Sequence, residues 1–163
     1  MLEIRHPPYM PGHTVQVVNF QTGAVSTGST GIPLDDTIPQ NNEGDEVMSL
    51  AITPKRATNK LKIDVKIYAT NTSGSVSMGL ALFKNAVANA LAFMAGCGMT
   101  DGNSPNVVPL SHFMTAGTIN PITFKVRIGK LGGAGTTTFN GGNSARLFGG
   151  VLVSSITITE IQV

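Results

Sequence analysis

Tryptophan is absent from this 163-residue chain, cysteine occurs once, tyrosine twice, and only 12% of residues are charged. Each scarcity removes a class of explanation. A lone cysteine, Cys97, cannot form an intrachain disulfide, so stability has to come from packing or assembly. Within "AGCGM" it reads as a small buried residue, and no base is marked beside it that would make it a nucleophile. Eleven Lys and Arg against nine Asp and Glu leave a net charge of +2, too slight for a nucleic-acid surface, which needs a clustered basic face. The three histidines, His6, His13 and His112, have no i, i+2 or i, i+4 partner, so a zinc site has no ligand set; His6 and His13, in the arm, read as exposed or interface residues.

Long apolar runs are also missing. The most hydrophobic window, Gly79 to Met99, is broken by Lys84, Asn85 and Asn89, and reads as a buried strand pair or a short helix rather than a membrane span. The opening "MLEIRHPPYMPG" has no apolar signal-peptide core, and its prolines forbid an early helix. A soluble protein without a membrane partner is expected.

What the chain does have is glycine, 19 residues of it, with Ser and Thr throughout, a composition that favours short strands and turns over helices. Its length suits one domain burying roughly 70% of its unfolded surface. Residues 1–13, with Pro7, Pro8, Pro11 and Gly12, read as an extended N-terminal arm, and residues 14–163 as the domain proper. "TVQVVNF" (14–20) is the first strand. A long loop, 21–46, follows, of a length that usually means function or packing on a partner; neighbouring chains are expected to clamp it and the arm.

Alternation then becomes regular. Leu61, Ile63, Val65, Ile67 and Ala69 share one face, opposite Lys60, Lys62, Asp64, Lys66 and Tyr68. The three lysines read as a solvated face that discourages edge pairing, with contact to an acidic partner as the sharper alternative. Val76, Met78, Leu80 and Leu82 alternate likewise, as do Ile122, Phe124, Val126 and Ile128. Residues 86–96 are open between helix and strand. "GKLGGAGTTT" departs from a phosphate-binding loop and reads as a hairpin loop, and Asn140-Gly141 as a turn. "NNEGDE" (41–46) lacks the spacing of a calcium loop and reads as a solvated turn, a structural cation being the alternative. Phe83, Phe93, Phe124, Phe139 and Phe148 sit in apolar text that suits a core. The sum is an all-β, antiparallel jelly-roll sandwich of about eight strands.

The terminal "SSITITEIQV" poses a question of faces. Ile156 and Ile158 alternate with threonines, and after Glu160 the apolar parity flips to Ile161 and Val163. Either a bulge near Thr159 gathers all four on one face, or Ile161 and Val163 meet a symmetry mate. Pro7, Pro8, Tyr9, Pro11, Ile161 and Val163 are the candidate interface residues. No catalytic, cofactor or metal site is expected.

Residues 121–163, with Phe124, Val126 and Arg127, then Asn140-Gly141, then Ser155, Ile156, Thr157, Glu160 and Ile161, resemble the closing segment of tailed-bacteriophage virion proteins; "PGHTVQVVNF" is similar to their first strand. The resemblance implies a tumour necrosis factor-like jelly roll that forms homotrimers and has no catalytic motif. It implies a virion location, as a capsid cement or decoration protein bound to the major capsid protein on the outer shell. The alternative is a tail-fibre or spike head that binds a host-surface glycan. The short chain, the arm and the lack of sugar-stacking aromatics tilt the expectation toward cement.

Overall fold

In a computed structural model, which describes residues 10–73, 76–96 and 102–163, strands form two facing sheets. The first, sheet A, contains β1 (Thr14–Thr22), β13 (Ser154–Ile161), β5 (Lys60–Asn71) and β8 (Asn106–Thr115) side by side. Short β10 (Thr137–Phe139) takes over the edge of β5 beyond β13 and pairs in turn with β2 (Ser26–Gly28). The second, sheet B, places β9 (Ile122–Leu131) between β4 (Asp45–Ile52) and β6 (Met78–Lys84), with β7 (Ala92–Ala95) outermost. Short β3 (Gly31–Ile32) adds to β9 in parallel. This is a jelly-roll sandwich, as the alternating sequence implies.

The core is what period two dictates. Leu61, Ile63 and Ile67 of β5 meet Phe124 and Val126 of β9, with Ile156 and Ile158 closing the layer. Strand β6 is buried on both faces, because Ala81 and Phe83 point away from this core into a second cluster with Ile32 and Leu131. Residues 86–96 contain β7, not a helix: Phe93 pairs with Ala81 and Met94 with Leu80, so tertiary pairing overrides the helical preference of alanine. No helix among the described residues is long and apolar enough to cross a membrane.

Several expectations are corrected. The segment 21–46 is not one open loop but contains β2, β3 and the first residues of β4, and its own chain holds it. Ile32 is 1% exposed beneath it, Ala90 N–H donates to Pro39 O (2.9 Å), and Arg127 donates to the carbonyls of Glu43 (2.8 Å) and Gly44 (2.7 Å). Strand β5 needs no protection as an edge, since β13 and β10 flank it on one side and β8 on the other. The stretch 129–138 is not a hairpin loop: β9 and β10 lie in different sheets, so it crosses the sandwich. The Asn140-Gly141 turn is displaced. Gly141–Gly142 is a strand, β11, pairing with β12 (Ala145–Arg146), and the two-residue turn is Asn143-Ser144, both with positive φ as a primed hairpin turn requires. Phe83, Phe124 and Phe139 are buried as expected, but Phe93 and Phe148 are exposed, the latter in a short 3-10 turn, Phe148–Gly150.

No register shift interrupts the pairing of β13 with β5, so a bulge near Thr159 does not occur; the bulge lies in β1, between Thr14 and Gln16. The parity of β13 never flips. Ser154, Ile156, Ile158 and Glu160 occupy one buried face, and Glu160 takes the place an apolar residue would have.

Candidate assembly surface

Beneath the end of β13, the Glu160 carboxylate is fully buried with no cation against it among the described ion pairs. It is held by donors instead. Gln16 Nε2 (2.6 Å), Asn59 Nδ2 (2.6 Å) and the backbone N–H groups of Lys55 (2.8 Å) and Arg56 (3.3 Å) all point at it. Burial pushes its carboxyl up, but the four donors outweigh burial and hold it below the ordinary value. One side chain thus joins β1, β13 and the β4–β5 connection.

Above this anchor, the two ends of the described chain meet. Gly12 N–H donates to Gln162 O (2.7 Å) and Gln162 N–H donates to His13 O (2.8 Å), which extends the β1–β13 ladder past Ile161. The base of the arm therefore belongs to the sheet, and the boundary at residue 13 falls inside paired structure. Of the sequence-predicted interface residues, Pro11, Ile161 and Val163 come together here; Pro11 is exposed, Ile161 half-buried and Val163 41% exposed. Pro7, Pro8 and Tyr9 lie outside the described residues, as do His6 and Cys97.

The outer face of sheet A spreads from that corner. Register places Val17, Thr159, Lys62 and Phe113 in one row across the four strands, and Asn19, Thr157, Asp64 and Ser111 in the next. The second row is a hydrogen-bond ladder: Asn19 Nδ2 donates to Thr157 Oγ1 (2.8 Å) and Ser111 Oγ to Asp64 (2.7 Å). Lys62 pairs with Asp64 at 2.9 Å and lies 5.9 Å from the Phe113 ring centre. Among these polar groups stand Val17 (55% exposed), Phe113 (57%) and Val107 (46%), and around the β7 side Phe93 and Met94 add more apolar surface. Sequence reasoning missed Val17, Val107 and Phe113. The alternation in "VVPLSHFMT" was available, but only the pairing with β5 tells which parity faces out.

At one cavity the charged groups are engaged. The space of about 290 Å³ between Ser26–Gly28 and Asp45–Val47 is bordered by Asp45, which accepts from Thr30, and by Arg127, which clasps the 43–44 carbonyls. Residues 41–44 of the acidic stretch form a turn, with Gln40 N–H donating to Glu43, and Asp45 and Glu46 begin β4. Among the described residues no group of three His, Cys, Asp or Glu side chains could hold a metal ion. His112 sits half-buried on β8, and burial holds its pKa below the ordinary histidine value.

Residues 25–163 match the family described as the Pgp3 C-terminal domain. No curated protein sequence matches the chain. Among solved structures, Eiger TNF from S. frugiperda is 13% identical, with 93% of this chain and 94% of that one covered and a TM-score of 0.50. Infectious bursal disease virus, Gx strain, gives 14% identity and a TM-score of 0.47 over 99% of this chain and 37% of that one. The T=1 particles derived from infectious bursal virus give 16% identity and 0.46 over 100% and 41%. This chain thus spans less than half of those viral chains. At such identities the likeness concerns the fold alone, which is TNF-like.

Proposed function

The chain belongs to the Pgp3 C-terminal domain family, and from that premise we propose that it is a non-enzymatic structural protein that works as a homotrimer. One observation carries this reading: exposed apolar side chains gather on two adjoining surfaces, the face of sheet A (Val17, Val107 and Phe113, with half-buried Ile161 beside them) and the β7 side (Phe93, Met94). Packing the β7–β8 side of one copy onto the sheet A face of the next is a head-to-tail contact, and three such contacts close a ring. At about 25 cal/mol per Å² of buried apolar surface, three repeats stabilise an assembly that one contact would not.

The leading reading of its place is the exterior of a virion, as a cement or decoration protein on the major capsid protein. The support is the resemblance of the closing segment to phage virion proteins and a surface rich in Thr, Ser, Asn and Lys, although Phe93, Phe113 and Phe148 are exposed on it. The self-packed loop 21–46 removes one reason for cement, since it needs no neighbour to hold it. A second reading, the head of a tail fibre or spike that binds a surface glycan, is favoured by the family's description as a C-terminal domain. Light scattering after size exclusion tests the trimer. Copy number per purified virion, by quantitative mass spectrometry against the major capsid protein, separates the readings. A ratio fixed by the shell lattice supports cement, a few dozen copies or fewer supports the head, and absence from particles overturns both.

A further inference from the structure

The outer face of sheet B, turned away from the core, holds a pocket of about 260 Å³. Strand β9 supplies Lys125 and Arg127, β4 supplies Glu46, and Phe83 and Asn85 border it from β6 and the turn beyond. Register brings them together, with Glu46 opposite Arg127 and Lys125 opposite Phe83. Backbone carbonyls set the guanidinium in place. Arg127 Nε donates to Glu43 O (2.8 Å) and Nη2 to Gly44 O (2.7 Å). That leaves Nη1 with Glu46 alone, at 3.6 Å and beyond hydrogen-bond length. Lys125 Nζ lies 3.3 Å from the same Glu46 oxygen, so two cations share one carboxylate oxygen. The neighbouring acids are turned to other partners: Glu43 accepts from Gln40 N–H and Asp45 from Thr30.

Neutral donors accompany the charges. Asn85, with φ of 53°, is pinned to β9 twice: its N–H donates to Thr123 O (2.7 Å) and its Oδ1 accepts from Thr123 N–H (2.9 Å). Its Nδ2 has no partner among the described residues, and the Nδ2 of Asn41, which also lines the pocket, has only Val87 O at 3.5 Å. A rigid guanidinium with one loosely engaged nitrogen suits a planar oxyanion, and amide NH₂ groups beside it suit hydroxyls. We propose that the pocket binds an acidic sugar residue. Arg127 Nη1 and Lys125 take its carboxylate in place of Glu46, and Asn41 and Asn85 take its hydroxyls. The proposal rests on the glycan-binding reading for its setting and on the pocket alone for its chemistry. It is independent of the trimer, because the pocket faces away from the exposed face of sheet A.

The test titrates the ¹⁵N-labelled full chain with glucuronate, glucose and sodium sulfate at constant ionic strength, read in amide and arginine Nε–Hε correlation spectra. Glucuronate is expected to shift residues 41, 83–86 and 125–127 and the Arg127 Nε–Hε signal, saturating in about the millimolar range, while glucose does not. Lys125→Gln weakens binding about two- to fivefold, the worth of one exposed ion pair. Glu46→Gln removes the competing carboxylate and tightens it by a similar factor. These opposite signs are what a merely structural role for the pair would not produce. Glucuronate that leaves these signals unmoved, or moves them no more than glucose does, overturns the site. Sulfate that saturates as tightly as glucuronate overturns the sugar and leaves a simple anion site. Affinity indifferent to both variants overturns the roles of Lys125 and Glu46. A sugar that shifts a different surface overturns this pocket and leaves the glycan-binding reading standing, whereas a lattice-fixed copy number overturns that reading and leaves binding in solution to be judged by itself.

Discussion

Asn59 and Glu160, 101 residues apart in sequence, meet at 2.6 Å with both side chains closed off from solvent. The amide donates to the carboxylate, and its own oxygen has no partner among the described residues. Replacing Glu160 by Gln removes the charge that attracts four donors and presents an NH₂ to one of them. A loss of about 2–4 kcal/mol in unfolding free energy is expected, measured by urea denaturation at neutral pH. A loss below about 0.5 kcal/mol would show that the donors can turn to water.

The same residue sets an acid response. Its folded pKa lies below the ordinary 4.5, so its contribution is complete above that value and is lost as pH falls through the folded value. His112 acts earlier. Its folded pKa is lowered from 6.5, so the unfolded chain takes up the proton first and stability begins to fall just below pH 6.5. Melting curves across pH 3–8 should therefore show two steps. His112→Leu removes the first and Glu160→Gln the second; a variant that leaves its step in place contradicts the assignment.

Asn140 is fully buried with φ of 54°. Its Nδ2 donates to Thr22 O (2.7 Å) and Ala24 O (3.2 Å), and its Oδ1 accepts from Ser154 Oγ (2.6 Å). Ala at this position loses all three bonds and gains left-handed strain, and about 2–4 kcal/mol of destabilisation is expected. Gly relieves the strain alone and should be milder by about 1 kcal/mol. Equal costs for the two, by chemical denaturation, would mean that the backbone conformation is not a source of the loss.

The assembly surface can be tested without harming the fold, provided Glu160 is kept. Truncation from residue 160 would remove the buried carboxylate and confuse unfolding with dissociation. Val163→Asp combined with Phe113→Ser changes exposed side chains only. The mass in solution should fall from three times the 17.0 kDa chain to one, with circular dichroism unchanged. A folded double variant that stays trimeric removes these residues from the interface.

Phe83 shares a buried cluster with Ile32, Ala81 and Leu131 at the base of the segment 31–44. Phe83→Ala should cost about 3–5 kcal/mol and open that segment to limited proteolysis between residues 33 and 39. Resistance equal to the wild type would show that the hydrogen bonds from Arg127 hold the segment unaided.

Long alternating runs were legible because a strand's side chains repeat every two residues. Leu61 to Ile67 and Ile122 to Ile128 declare both their type and their inward face. The Ser-Thr-Gly text of β2 and β3 was not legible, since its strands are defined by backbone partners in β10 and β9 rather than by side chains. The exposed aromatic Phe113 was hidden for a related reason. Its strand alternates plainly, but which parity faces out is set by the strand it joins.

By itself, the sequence determined that this is an all-β sandwich without an intrachain disulfide, because composition and period two are local properties that no partner has to complete. It also placed Ile156 and Ile158 in the core and gathered Pro11, Ile161 and Val163 as candidates for one surface. Only the tertiary structure decided that Glu160 continues the buried face instead of breaking it. A carboxylate is tolerated there because Lys55, Arg56, Asn59 and Gln16 converge on it from two other parts of the chain. No spacing within ten residues of Glu160 encodes that convergence; it exists once the sheets have closed.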